Sequence, residues 1–483
     1  MKREYLFLFL ILFGAIFVRF YRFSSPIADW HSWRQADTSS VSRNFVKSGF
    51  DLLHPRFDDI SNVPSGKDNP QGYRFVEFPL YNVLQASTAL LVPTLPIEQS
   101  GRVVTILMSV LSAVFLFLLT RKYAGPRTAL FAAFFYAFLP YSIYYGRVIL
   151  PDPMMVTATL GGIYFFDKWL EKSTSGKRTL FYLLAVVCTA SALLLKPFAL
   201  FFMLPMVFLA FDHFKLGVFK RWELWLFAVL VVAPLLLWRT WMAQYPEGIP
   251  VNDWLFNGGN IRFKGAFFYW IFADRLGRLI LGYWGVGIFL IGVLVASAQV
   301  VVHTKKAQFF FYSFLLSCLL YVIVIARGNV QHDYYQLPLL PSIALFLGIG
   351  SAFLLNTPKD VAQKLFGRTV LIVTIVFSFF FGWYVVRDYF NINNRNIVAA
   401  GKIVQEKTPA DATIIAPYDG DTSFLYQTNR QGWASFEKPL PEMITMGADY
   451  LILVNPTQQD FDGFGKMFPI VASSPEYLLL KLQ

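Results

Sequence analysis

Apolar runs of roughly 17–25 residues, the length that crosses a bilayer, recur along most of this chain. They fall at about 4–20, 102–120, 128–145, 154–170, 179–195, 198–212, 223–240, 281–301, 308–326, 336–355 and 368–387. A segment in lipid must satisfy its backbone hydrogen bonds internally, which leaves helices or closed barrels. Runs of this length predict a polytopic bundle of helices. The 483 residues are 56% hydrophobic and only 15% charged, whereas soluble domains carry about a quarter charged residues. Lys2 and Arg3 precede the first run as in a signal peptide. Val18-Arg19-Phe20-Tyr21-Arg22 offers no small-residue cleavage site, so this run is read as a retained span.

The net charge of +12 would suit a nucleic-acid partner in a soluble chain. Here Lys and Arg gather in short loops, as they do on the cytoplasmic face of membrane proteins. The clusters are Arg121, Lys122 and Arg127; Lys168, Lys172, Lys177 and Arg178; Lys215, Lys220 and Arg221; Lys305 and Lys306; Lys359, Lys364 and Arg368. All fall on one side if residues 79–97, short and interrupted by Pro93 and Pro96, form an interfacial or re-entrant helix within an outer loop, 21–101. Cys188 and Cys318 lie inside apolar runs and are read as packing residues.

From about Asn391 the pattern changes. ATIIAPY (412–418) and DYLILVN (449–455) read as short buried strands around a helix-like PEMITMG, and FPIVAS and YLLLKL follow as further β-type runs. The expectation is a membrane domain over 1–390 and a small extracytoplasmic α/β domain over 391–483.

The remaining polar residues collect on the outer side. The first outer loop opens with Asp29, Trp30, His31, Ser32, Trp33, Arg34 and Asp37. Asp29 or Ser32 can simply N-cap a helix beginning near Trp33. Asp37 lies inside that helix, on a face with Trp33 and Val41, where an aspartate has poor propensity. Arg34 is placed to pair with Asp37 or to bind phosphate. Asp152, between Pro151 and Pro153, suits a helix N-terminus, but that does not account for Arg147 and the paired Tyr144 and Tyr145 before it. Lys196-Pro197 reads as a helix break with a snorkelling Lys or as a phosphate contact. His332, Asp333, Tyr334 and Tyr335 form an interfacial aromatic belt or an acid–base group. The aromatic segment 263–284 reads as an interfacial helix or a wall for a lipid tail. Carboxylates that can deprotonate an acceptor hydroxyl, cations that can stabilise a departing phosphate and an aromatic groove at the membrane surface together suit glycosyl transfer from a lipid-linked donor. No P-loop or dinucleotide fingerprint is present.

DWHSWRQADTSSVSRNFVKSG (29–49), EFPLYN (77–82), GRVILPDP (146–153), LLLKP (193–197) and HDYYQLPLLP (332–341), in that order, resemble the GT-C glycosyltransferases. The likeness is to the bacterial branch akin to protein O-mannosyltransferases and the aminoarabinose transferase of lipid A. The resemblance implies a mainly α fold, about 11–13 transmembrane helices with a small extracytoplasmic α/β domain, in the bacterial inner membrane. It implies inverting transfer from a polyprenyl-phosphate sugar at the outer face to a glycan, glycolipid or protein acceptor, with membrane lipid and no nucleic acid as partners. Where the family usually carries Asp-Glu, this chain has Arg34-Gln35, so the base falls to Asp37 or Asp29, with Asp152 as the second acid. Arg34, Arg147, Lys196, His332 and Tyr335 are then expected on the donor phosphate. His31, Trp33, Glu77, Tyr145, Asp333 and Tyr334 are expected on the substrates, and Asp37 and Asp152 on a divalent cation (Mg or Mn) where one is used.

Two other classes share this outline. A lipid-sugar flippase or secondary transporter should show repeated halves and ionisable residues near the bilayer midplane. An O-antigen ligase or polymerase should place its large outer loop late, whereas here the first loop is long.

Overall fold

The structure is a computed structural model that describes residues 3–171, 175–298, 301–356 and 360–483. Lys2, Lys172 and Lys359 lie outside the described residues. Helices dominate to residue 390. They are α1 (Arg3–Arg19), α2 (Ser32–Ser48), α3 (Leu80–Leu91), α4 (Ile97–Phe138), α5 (Pro140–Tyr145), α6 (Asp152–Glu171), α7 (Ser175–Leu195), α8 (Leu204–Phe214) and α9 (Trp222–Met242). Further helices cover Lys305–Val324, Leu340–Asn356 and Val361–Val386. Among the described residues seven helices are long and apolar enough to cross a membrane, or eight when Gly265–Ile280 and Gly285–Ser297, bent by 112°, are taken as one span.

The expected spans at 102–120 and 128–145 occupy the two arms of α4. The chain reverses between them at Gly125, whose φ of 80° favours glycine, followed by Pro126. Contacts with α1 show the reversal: Tyr5 meets Phe117 and Glu4 pairs with Arg121, while Gly14 faces Phe138 and Arg19 donates to the Ala137 carbonyl. The second arm ends at Phe138, because Pro140 interrupts the ladder; α5 replaces the rest of that expected span. Helices Gly285–Ser297 and Leu340–Asn356 meet backbone to backbone at Gly292 and Gly350, where any Cβ would collide with a facing carbonyl. α3 is a 12-residue helix, too short to cross a bilayer.

The basic residues gather at one end of the bundle, where Lys122 pairs with Asp167 and Glu171, Arg178 with Glu223, and Lys306 with Asp212. The opposite end carries α2, α3 and the C-terminal α/β unit.

That unit is a five-stranded sheet of order β2-β1-β3-β5-β4: β1 Ile414–Ile415, β2 Gly432–Trp433, β3 Tyr450–Val454, β4 Ile470–Ser473 and β5 Tyr477–Lys481. The four apolar runs of the sequence supply all but β2, a two-residue strand too brief to show a period. PEMITMG lies in helix Leu440–Thr445 and the turn after it. β1, β2 and β3 are parallel, and β5 is antiparallel to β3 and β4. The first outer loop extends the sheet beyond β2: Ile60 N donates to the Gly432 carbonyl at 2.8 Å and Gly432 N to the Asp58 carbonyl at 3.0 Å. Cys188 and Cys318 are free thiols.

Candidate active site

α2 is rich in Ser, Thr and charge, yet nearly every residue from Arg34 to Ser42 is buried. A polar helix withstands burial only when its groups find partners. Here α3 and the α/β unit supply them. Asn82 donates to the Thr38 carbonyl at 2.7 Å, Gln85 accepts from Ser42 and donates to Ser39 at 2.9 Å each, and Tyr426 meets Ser39 at 3.0 Å.

α2 begins at His31, held in the left-handed region at φ 53°, which few non-glycine residues adopt. Neither Asp29 nor Ser32 caps it through a side chain. Asp29 is instead wholly buried, accepting from Gln35 at 2.7 Å and pairing with Arg147 at 3.1 Å. Arg147 also donates to the Arg22 carbonyl and lies over Phe390. This pair ties the start of the first loop to the turn before α6.

A second post stands beside it. The Asp333 carboxylate accepts from His31 Nε2 at 2.7 Å, Trp30 Nε1 at 3.1 Å, Tyr145 at 2.5 Å and Tyr389. Trp30 stacks on Tyr389, with centroids 4.9 Å apart. His332 sits among Trp33, Trp254 and Tyr334. Burial foremost, and the neighbouring His31, pull its pKa to about 4, so it is a neutral imidazole at neutral pH.

The remaining expected residues converge. The structure brings together Arg34, Asp37, Glu77, Asp152, Lys196, Tyr334 and Tyr335. Arg34 does not pair with Asp37 as the helical spacing allows. One guanidinium nitrogen, Nη2, donates to both Glu77 carboxylate oxygens at 2.7 and 2.9 Å, while Nη1 donates to Thr38 Oγ1 at 3.3 Å. Burial would raise the pKa of Glu77, but Arg34 and then Lys196 outweigh it and hold the carboxyl below its ordinary range. Lys196 follows the end of α7 in extended backbone, before Pro197 opens a 3₁₀ turn. Its ammonium stands 3.8 Å from Glu77 and 3.9 Å from Asp152. Asp152, at the first turn of α6, is 1% exposed, and neither carboxylate oxygen has a hydrogen-bond partner among the described residues. Tyr334 and Tyr335 lie within electrostatic reach of both Asp152 and Arg34.

Asp37 pairs with Arg74 and accepts from Thr422 Oγ1 at 2.7 Å. It lines a narrow pocket with Arg34, Arg74, Glu77 and Asn82. Arg74 and Thr422 carry no sequence signal: one is a single charge in an irregular loop, the other opens a helix in a separate unit. Asp37 and Asp152, expected on a divalent cation, are each turned toward a cation of the protein. Among the described residues no three His, Cys, Asp or Glu side chains gather to hold a metal ion.

Residues 79–238 match the family model of dolichyl-phosphate-mannose-protein mannosyltransferases. No curated protein matches the chain by sequence. Among solved structures it is similar to ArnT from Cupriavidus metallidurans in the apo state, at 13% identity and a TM-score of 0.67, covering 98% of this chain and 97% of that one. The same protein bound to undecaprenyl phosphate matches at 12% identity, a TM-score of 0.66 and the same coverage. The Archaeoglobus fulgidus oligosaccharyltransferase, in complex with Zn and sulfate, matches at 10% identity and 0.62, covering 92% of this chain and 67% of that one. The fold is the GT-C fold of these membrane glycosyltransferases.

Proposed function

We propose, from a GT-C fold with this cluster at one end of its bundle, that the chain transfers a sugar from a polyprenyl-phosphate donor to an acceptor hydroxyl, with inversion, at the outer face of the bacterial inner membrane. The observation that carries the reading is the open arrangement around Lys196. A purely structural lysine between two buried carboxylates would close to hydrogen-bonding distance on one of them. Lys196 instead stands back from both, and Asp152 has no hydrogen-bond partner among the described residues. The ammonium and the adjacent Arg34 are placed to receive a phosphate, with Tyr334 and Tyr335 beside them.

In the reaction Asp37 takes the proton of the acceptor hydroxyl, whose oxygen forms the new bond to the anomeric carbon. The bond between that carbon and the donor's phosphate oxygen breaks, and its electron pair leaves with the phosphate. Lys196 and Arg34 stabilise the charge that develops there, in a water-poor site where such stabilisation is strongest. Arg74 and Thr422 orient Asp37; Asp29–Arg147 and Asp333 hold the first loop against the bundle. The outer-face assignment is supported by the basic residues at the other end. The ion-paired charges at the site sit at the bundle's end and not at midplane, which favours a transferase over a transporter.

The test is a transfer assay on purified protein in nanodiscs, offering undecaprenyl-phosphate sugars beside nucleotide sugars, with crude envelope acceptor. Consumption of a lipid-linked donor, with nucleotide sugars untouched, is expected. Failure of every lipid-linked donor with well-folded protein refutes the reading.

A further inference from the structure

A second cavity lies outside the cluster around Lys196, and it is much larger. An open cleft of about 520 Å³ separates the C-terminal end of α2 and the following loop from the α/β unit. The pocket around Asp37 has about 10 Å³, far below the range of about 300–1000 Å³ in which ligand sites usually fall. It has room for a reacting hydroxyl but not for the body of an acceptor.

The cleft leads toward that pocket. Asn44 and Lys47, on its α2 wall, follow Asp37 by two to three turns, with Asn44 about 10 Å farther along the helix axis. Phe57 lines the cleft, and Arg74, the partner of Asp37, lies over its ring with 4.9 Å from guanidinium carbon to centroid. Phe57, of the cleft, and Arg74, of the pocket, are thus in contact.

The lining states which acceptor fits. Its basic residues, Lys47, Arg56 and Arg430, are matched by Asp51, Asp58 and Asp411, so the cleft has no net charge to select a phosphate or an acidic peptide. Planar amides interleave with them: Asn44, Asn429 and Gln431. Such donors and acceptors match paired hydroxyls, each of which both gives and takes a hydrogen bond. The exposed polar surface exceeds the apolar, unlike a groove for an acyl chain. Several groups are already fixed, Lys47 on Asn429 at 2.8 Å and Asp58 by Arg43. Arg56 and Asp411 are exposed at the mouth.

We infer that this cleft binds the acceptor and that the acceptor is a neutral glycan, carried as far as Phe57 and Arg74 so that one hydroxyl reaches Asp37. The acceptor role rests on the proposed transfer activity; the saccharide site does not. The experiment is saturation-transfer NMR on the full chain in nanodiscs, with neutral gluco-, galacto- and manno-oligosaccharides as probes. Dextran sulfate, a Ser/Thr-rich peptide and a phosphorylated lipid A are the competitors, and undecaprenyl-phosphate binding is measured on the same samples. A neutral oligosaccharide is expected to bind, and Arg56→Ala combined with Asp411→Ala to weaken it about tenfold, the loss of hydrogen bonds to charged groups. Undecaprenyl-phosphate binding is expected unchanged. Absence of binding by every neutral probe, equal binding to the variant, or displacement by the anionic probes overturns the inference. Saccharide binding without any undecaprenyl-phosphate binding upholds the cleft as a glycan site and removes the lipid-donor reading instead.

Discussion

α6 carries an acid beside a lysine at each end, and the two ends are built differently. At the basic end Asp167 is closed: Lys122 touches it, the Tyr123 hydroxyl donates at 2.8 Å, and Lys122 also reaches Glu171 at 2.6 Å. At the other end Lys196 stands 3.9 Å from Asp152, and Asp152 has no hydrogen-bond partner among the described residues. Burial is deeper at the open end, with the Lys196 side chain 9% exposed against 25% for Lys122. Electrostatics alone would favour closing the pair where water is scarcer. Helix packing at the basic end uses saturated ion pairs, while the loosely met pair lies at the proposed site. Asp333, with its four side-chain donors, is of the saturated kind although it stands near the site.

The difference can be broken from the open end first. Lys196→Met and Asp37→Asn are each expected to cut transfer by at least about a hundredfold, the scale for losing a charge-stabilising group or a base. Lys196→Met should leave the thermal unfolding midpoint in detergent near that of wild type, and a collapse of its folding would place it among the structural pairs; Asp37→Asn should lower the midpoint as well, because it breaks the buried pair with Arg74. Asp333→Asn should do the converse, costing about 3 kcal/mol of stability as four side-chain donors lose a buried carboxylate acceptor; activity per folded molecule should largely survive. Thr422→Val is expected to lower kcat about tenfold with donor KM unchanged, and Thr422→Ser to restore it, since only the hydroxyl positions Asp37. A matching fall in thermal stability without the kcat effect would make Thr422 a docking contact only.

Smaller effects sharpen the other side. Lys122→Ala should shift stability by less than about 1 kcal/mol, because that pair is partly solvated, and should not touch transfer. His332→Gln should leave the pH–rate profile unmoved from about 5.5 to 8. With its pKa pulled from 6.5 to about 4, His332 is already neutral there. Its preference for the neutral form favours the folded chain above about pH 6.5 and is lost as pH falls toward 4; an acid limb in thermal stability that vanishes in the variant would show this.

Much of the helical layout was legible because a span must be long and apolar whatever it packs against. The strands β3 and β5 were legible for a similar reason, as short apolar runs between turns. β2 was not, since two residues carry no period and its pairing is supplied by β1 and by the distant Asp58–Ile60 segment. The cluster residues Asp152 and Lys196 stand out as isolated charges at span ends. The identity of each pair was not readable: spacing offers Arg34 to Asp37, yet Glu77, in a loop, takes its Nη2 with both carboxylate oxygens. Sequence also cannot rank Asp29 against Asp37, because what separates them is Gln35 and Arg147 closing around one carboxylate and a pocket opening beside the other.

Thr422 holds Asp37 across a sequence separation of 385 residues, and Gly432 finishes a ladder begun by Asp58 and Ile60. During synthesis every membrane helix leaves the ribosome before either partner exists. A chain halted after its last span has its helices and its phosphate-facing cations, but an aspartate held only by Arg74 and a loop with a bare backbone edge. The final segment thus completes both the hold on Asp37 and the sheet edge that the first outer loop begins.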